Sequence, residues 1–541
     1  MISYFNTKKI YYLLLIIISL IPFIGYEEFN FSLVRNSLLN FNIFYSSWLN
    51  ENLGTFNNFF NIYEILFWIV SQFFGSKVGS IAYFWVLQVF ASTYFFRLSF
   101  KLFKNLHISF ISSLFYTFSI YSQFMSLWGI YSGGVAYAFL PFFIYQILNL
   151  KKENFYLTLS KIAIIYSFFN LANLTYSIYF QITICFAIFI KYVFYKEEGK
   201  LLIKFLLWNL IIFTISIFPY LFTSFIQNRF DNNLLDSSLN SESVDWKSSS
   251  STLSEIFRGL GSVNFQYKIN NFYTYPNARF IFDNYLILIF SYFGFIIFIY
   301  SILLKTDSKK INDIKKYILI FYLILLFFGL GTNNSSIFKT FYRFLNYLIP
   351  LFGIFRDTYK VNFIINFIYA LSIGYFLYEL RRSINFKKYY KLIFGFCFFI
   401  IFTLSFSYFF TPFFKNEVIK IPVYWDIMFS DNSEISKHRV ILFPNFNFAI
   451  PFNYTSKYGS SADFYRVYTG FNSVLPYKLY RFYGTSEFLY KNINKELFSL
   501  YGINYLLNLE DTNFIYANTL DPSFYNNQLK INNFEYLKKY E

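Results

Sequence analysis

Apolar runs of roughly 20 residues alternate with short polar loops along most of the chain, and that is the length a helix needs to cross bilayer hydrocarbon. The pattern predicts about eleven spans: Ile10–Tyr26, Ile81–Phe103, Ile108–Ser126, Gly134–Leu150, Ile162–Asn173, Tyr176–Tyr195, Phe205–Phe225, Tyr285–Leu304, Tyr317–Leu330, Val361–Leu380 and Leu392–Phe410. Asn61–Phe74 is apolar but short and carries Glu64 and Gln72, so it reads as an interfacial or re-entrant helix of the first large loop. An extra span there would invert every later loop.

Every second loop is basic: Lys8/Lys9, Lys101/Lys104, Lys151/Lys152, Lys196/Lys200, Lys309/Lys310 and Arg381/Arg382/Lys387/Lys388. The loops near Ser126–Ser132 and Asn173–Ser177 carry no cation. Basic residues stay in the cytoplasm during insertion, so the N-terminus is expected there. The other side then receives three large segments: Glu27–Gly79, Gln227–Asp283 with its Ser248–Ser251 run, and everything beyond Thr411. In the last of these, Arg439–Phe443 and Ile503–Leu507 have the short apolar pattern of buried strands and Lys491–Tyr501 that of a helix. The expected fold is an α-helical polytopic membrane protein (residues 1–411) with a small C-terminal extracytoplasmic α/β domain (412–541). The chain is expected in the plasma membrane, multi-pass.

Composition agrees with a bilayer as the solvent. Of 541 residues 56% are hydrophobic and 14% charged, against about 25% charged in a soluble globule; mean hydropathy is +0.40. The net charge of +17 sits mainly beside the apolar runs, where it marks topology and attracts anionic headgroups; it does not indicate nucleic acid. The abundance of Phe (82) and Tyr (52) accompanies much Asn, Ile and Lys, a mark of AT-rich codons, so no aromatic stripe alone is read as a ligand site. Cys185 and Cys397 lie inside apolar runs and imply neither disulfide nor metal. His107 and His438 are the only histidines, and no metal-ligand spacing occurs.

The candidate chemistry falls on the extracytoplasmic side. Glu27 and Glu28 follow the first span directly, where partial desolvation would raise a carboxylate pKa and suit it to general-base work; a solvated pair marking the end of a span is the plainer reading. Trp48, Glu51 and Leu53-Gly54 come next. Arg356 and Lys360 precede the tenth span four residues apart, on one face if that segment is helical. An Arg fork and a mobile Lys charge suit a phosphate, and snorkelling anchors are the alternative. Arg258 lies in the second large loop and reads as a solvated residue.

At these residues the chain resembles the GT-C superfamily of integral-membrane glycosyltransferases. An acidic residue just past the first span, a W-x(4–5)-L-G stretch (Trp48 to Leu53-Gly54) and a re-entrant helix look like its first loop. Residues 349–360 (IPLFGIFRDTYK) are similar to the P-x-(F/L)-x-x-F-R-x-P-x-K segment of arabinofuranosyltransferase-like and related prokaryotic members, with Thr358 where that pattern has Pro. Residues 501–507 (YGINYLL) resemble the L-G-(V/I)-x-Y-(V/I/L) strand that ends such chains. The resemblance implies an enzyme that takes sugar from a polyprenyl-phosphate donor and passes it to a glycan, lipid or protein acceptor with inversion. Glu27 or Glu28 would be the base, Arg356 and Lys360 would hold donor phosphate, and Trp48, Glu51 and Arg258 would stand near the acceptor. The resemblance specifies no cofactor, and since some members use a divalent cation, one stays open here. A flippase or transporter for lipid-linked glycans and a non-catalytic envelope protein are the alternatives. Mid-span charges and paired repeats, which favour a transporter, are nearly absent.

Overall fold

The computed structural model describes residues 2–20, 62–122, 131–169, 174–194, 199–230, 251–260, 283–304, 308–332, 336–348, 358–382 and 389–406, the single positions 306, 352, 355 and 496, and seven short strands. The described helices form a bundle: α1 (Ile2–Ile18), α2 (Ile62–Phe103), α3 (Leu106–Thr117), α4 (Tyr131–Leu148), α5 (Phe155–Phe169), α6 (Leu174–Phe194), α7 (Gly199–Phe230), short α8 (Leu253–Phe257), α9 (Tyr285–Ser291), α10 (Phe293–Leu303), α11 (Lys309–Leu330), α12 (Ser336–Leu348), α13 (Asn362–Arg382) and α14 (Tyr390–Phe406). Five helical stretches are long and apolar enough to cross a membrane: Ile81–Phe103, Thr175–Phe194, Gly199–Phe218, Tyr285–Leu303 and Thr358–Arg382. The protein is an α-helical membrane protein.

Position in the bundle follows from which faces are apolar. α13 is the axis; its residues from Asn362 to Ala370 are all buried, and it packs on α2, α3, α4 and α10. α7 lies at the edge, with Leu207, Ile211, Ile215 and Phe218 exposed as lipid-facing residues would be. Close approach depends on glycine at two places. A Cβ at Gly294 would come within 2.9 Å of Phe115 and Tyr369, and one at Gly374 would overlap the Phe103 ring and the Ser112 hydroxyl. Small residues at such crossings are how helices pack where no hydrophobic gain is available.

The basic loops gather at one end, and their lysines are used there. Lys101 donates to Leu148 O (2.9 Å) and to the Asn149 side chain. Buried Lys191 donates to Ile147 O (3.2 Å) and Leu150 O (2.9 Å), and Lys310 donates to Phe194 O (3.1 Å). Lys315 donates to Leu304 O. The backbone acceptors lie in the last turn of a helix or just beyond it, at the negative end of the dipole. His107 lies at the same end, its Nδ1 2.6 Å from Tyr11 Oη. Two of the expected boundaries change in this region. α11 begins at Lys309, capped by Ser308, so its lysines belong to a helix and not to a loop. The eighth apolar run is two helices, with the junction at Tyr292.

The expected break between Asn61–Phe74 and the second span is absent. α2 is one continuous helix of 42 residues, roughly 63 Å long at 1.5 Å per residue. The Gly75–Ser80 stretch holds no proline, and single glycines lower helix propensity without ending a helix. A continuous helix has no turn at which the chain reverses direction. Trp48–Leu49 (β1) pairs antiparallel with Thr55–Phe56 (β2), and Lys268–Ile269 (β3) with Phe272–Tyr273 (β4). Arg439–Phe443 (β5) is the middle strand of a parallel three-stranded sheet, between Asn472–Val474 (β6) and Ile503–Asn508 (β7). Parallel neighbours need crossovers of a dozen or more residues, for which 444–471 and 475–502 are long enough. The expected helix Lys491–Tyr501 lies, apart from Glu496, outside the described residues.

Candidate functional site at the end opposite the lysines

At the other end of the bundle a buried polar junction joins three separate parts of the chain. The second large loop contributes Ser251, Glu255 and Arg258; the turn of 3-10 helix Thr358–Val361 contributes Thr358 and Lys360; α13 contributes Asn362 and Asn366. The Ser251 hydroxyl bonds that of Thr358. Asn366 Nδ2 donates to Gly259 O (2.7 Å) and Asn362 O (2.8 Å). Gly259 has φ +70°, and a Cβ there would meet the Asn366 amide at 2.6 Å, so glycine is required on both counts.

Local sequence explains how the loop reaches this place. Thr252-Leu253-Ser254-Glu255 is a capping box: the Thr252 hydroxyl accepts from Glu255 N (3.3 Å), and Glu255 Oε2 accepts from Thr252 N (3.2 Å). Ile256 follows, fully buried, against the space left by Gly329 and beside Val361. Arg258 is 4% exposed, with Nε donating to Ser291 Oγ at 2.6 Å. It is a buried residue, not a solvated one. Ser251, at the end of the polar Ser248–Ser251 run, is likewise buried.

Lys360 is also buried, at 4% exposure. Its ammonium lies 3.4 Å from Thr175 Oγ1 and over the rings of Tyr176 (5.5 Å) and Tyr359 (6.0 Å). A snorkelling lysine keeps its head in water or headgroups; this one turns inward, onto the first turn of α6. The N-termini of α6 and α13 meet here, each the positive end of a helix dipole. Beneath them Tyr176 Oη is 3.2 Å from Tyr121 Oη, and Tyr116 and Tyr137 stack at 4.0 Å while each hydroxyl donates to the other residue's carbonyl. The junction therefore rests on a rigid aromatic floor. Two cations, Lys360 and Arg258, and one acid, Glu255, are buried in it.

Glu255 is the junction's titrating residue. Burial pushes its carboxyl up to about 7, against the opposing pull of its Thr252 hydrogen bonds and Arg258. Glu255 Oε1 and Asn362 Oδ1, both buried, have no hydrogen-bond partner among the described residues. A cavity of about 10 Å³ beside Gln88, Ser122 and Tyr137 has room for no more than a water. Among the described residues no three His, Cys, Asp or Glu side chains come together.

Of the residues singled out from sequence, Lys360 and Arg258 are both buried at this junction, Lys360 against Thr175 and Tyr176 of α6 and Arg258 against Ser291 of α9. Glu27, Glu28, Glu51 and Arg356 lie outside the described residues, and Trp48 is placed only by its strand. Sequence reasoning missed Glu255, although the T-x-x-E signature was readable, and it missed the asparagines Asn362 and Asn366, four apart on one helix face. No family model matches the chain, and no curated protein matches it.

Proposed function

We propose that the protein is a GT-C-like membrane glycosyltransferase of about eleven spans, with its N-terminus in the cytoplasm and a C-terminal α/β domain outside. It takes a sugar from a polyprenyl-phosphate donor in the outer leaflet. The observation that carries this reading is the buried polar junction, with Lys360 and Arg258 in it, at the end away from the basic loops. There Lys360 of the 349–360 motif lies against two helix N-termini in the same polar cluster as Arg258. That is the environment an anionic phosphate requires.

In the proposed reaction Arg356 and Lys360 hold the phosphate. The acceptor hydroxyl oxygen attacks the anomeric carbon while the bond from that carbon to the phosphate oxygen breaks. The bonding pair leaves with the phosphate, the hydroxyl proton passes to Glu27 or Glu28, and the anomeric centre inverts. A phosphate needs little protonation to depart, so a single carboxylate suffices. The parallel sheet of β5, β6 and β7 belongs to the part that presents the acceptor.

The test is sugar transfer in proteoliposomes supplied with polyprenyl-phosphate sugars. Glu27→Gln and Glu28→Gln, made singly and together, are expected to lower kcat by 100-fold or more in at least one combination, on the order of a general base's contribution. Arg356→Ala is expected to raise the donor KM. Parental rates in all three carboxamide variants, or no transfer from any such donor, would overturn the reading.

A further inference from the structure

Helix α12 was not among the elements expected from sequence, and it is built unlike the spans. It has 13 residues, about 20 Å of helix, where the hydrocarbon is about 30 Å thick. Its apolar residues form one arc. One flank of that arc is covered by protein: Tyr342 is fully buried, 4.9 Å from the Phe352 ring and 5.9 Å from Phe327. The other flank is bare. Phe341 is 50% exposed, Phe344 53% and Leu348 58%, at the i, i+3, i+7 spacing of a single face. Lys339 and Arg343 occupy the opposite arc, and residues 336–348 contain no acid.

We propose that α12 lies in the plane of the membrane surface, Phe341, Phe344 and Leu348 sunk into the acyl boundary and Lys339 and Arg343 level with the lipid phosphates. Its occupant is the bilayer, for two reasons. The bare flank adjoins the exposed face of α11: the Phe341 ring lies 5.5 Å from that of Phe327, one turn beyond Leu323 and Ile324, which with Ile320 are each about half exposed and face lipid if α11 crosses the membrane. Its two cations and lack of acids complement anionic headgroups, the pattern of an interfacial helix. The placement has a consequence for the junction. Phe352 and Phe355 pack 5.4 Å apart, and Phe355 sits 5.2 Å from Tyr179 of α6, so α12 is tied through this aromatic cluster to the segment that ends in Lys360. A helix floating at the phosphates thus sets the level of Lys360 at the membrane surface. This proposal does not depend on sugar transfer.

The experiment uses the full chain with Cys185→Ala and Cys397→Ala, reconstituted in phosphatidylethanolamine–phosphatidylglycerol vesicles. Nitroxides are placed one at a time at Phe341→Cys, Phe344→Cys, Leu348→Cys, Lys339→Cys and Arg343→Cys. Relaxation by oxygen and by a water-soluble nickel chelate then gives the depth of each label. The first three labels are expected about 5–10 Å below the phosphates, open to oxygen and closed to nickel; the last two are expected at or above the phosphates. If nickel reaches all five labels equally, the helix stands in water and the proposal fails. If the first three are closed to both reagents, a second copy or another part of the chain covers the flank, and the proposal fails equally.

Discussion

Glu255 concentrates the energetics of the junction in one side chain. Its folded pKa of about 7 stands above the ordinary 4.5. Between those values the folded state holds a proton that the unfolded chain has released. Stability is therefore greatest below pH 4.5 and declines as pH rises to 7, by on the order of 3 kcal/mol. Glu255→Gln keeps the acceptor for Thr252 N and removes the charge. Its thermal midpoint is expected to match the parent's at pH 4 and exceed it at pH 8; a variant equally destabilised at both would disprove the account. Thr358 is informative in the same way. It stands where the resembled motif has proline, and its hydroxyl bonds Ser251, a contact proline has no group to make. The departure from the motif is where the large loop is fastened.

Among elements, helix crossings are set by which residues are small enough to permit them. Gly374 and Gly395 are both helical glycines in apolar sequence, yet only Gly374 has neighbours that a Cβ would strike; at Gly395 nothing lies within 4 Å. Gly374→Ala is expected to cost about 1–3 kcal/mol through overpacking against Phe103 and Ser112. Gly395→Ala is expected to stabilise by about 0.5–1 kcal/mol, the ordinary helix preference for alanine. Thermal unfolding in detergent reads both, and equal shifts for the two would show that the crossing of α3 and α13 is not tight. This asymmetry was not legible in the sequence, because hydropathy gives the existence of a span and not its neighbours. The helices were legible, since each expected apolar run is helical over most of its length among the described residues, and five of these stretches are long and apolar enough to cross a membrane. α12 was missed for a physical reason: its arc of apolar positions is interrupted by Lys339 and Arg343, so a search for uninterrupted hydrophobicity passes over it.

For the whole molecule the two ends are chemically distinct. One is closed by lysines donating to the C-terminal carbonyls of helices; the other gathers Glu255, Arg258 and Lys360 around helix N-termini. The one-sided lysines were legible in the sequence as a topology signal, but not their work as caps, which depends on knowing where each helix stops. Lys360 and Arg258 were legible as candidates, but their burial was not, because a charge beside an apolar run reads the same whether it turns outward or inward. α2 is about 63 Å of unbroken helix from 42 residues, with no turn at which the chain reverses. On the proposed eleven-span reading, a turn within it would separate Glu27 and Glu28 from Lys360. With the basic end in the cytoplasm, a cysteine at Glu153, exposed in a basic loop, is expected to react with an impermeant maleimide only after cells are permeabilised. An epitope appended after Glu541 is expected to be cleaved by protease added to intact cells. If the epitope survives while Glu153→Cys is labelled from outside, the bundle is inverted and the junction faces the cytoplasm, where an outer-leaflet donor never arrives. If both sites answer from one side, an even number of spans separates them, and Lys360 is cut off from either the first-loop carboxylates or the C-terminal sheet.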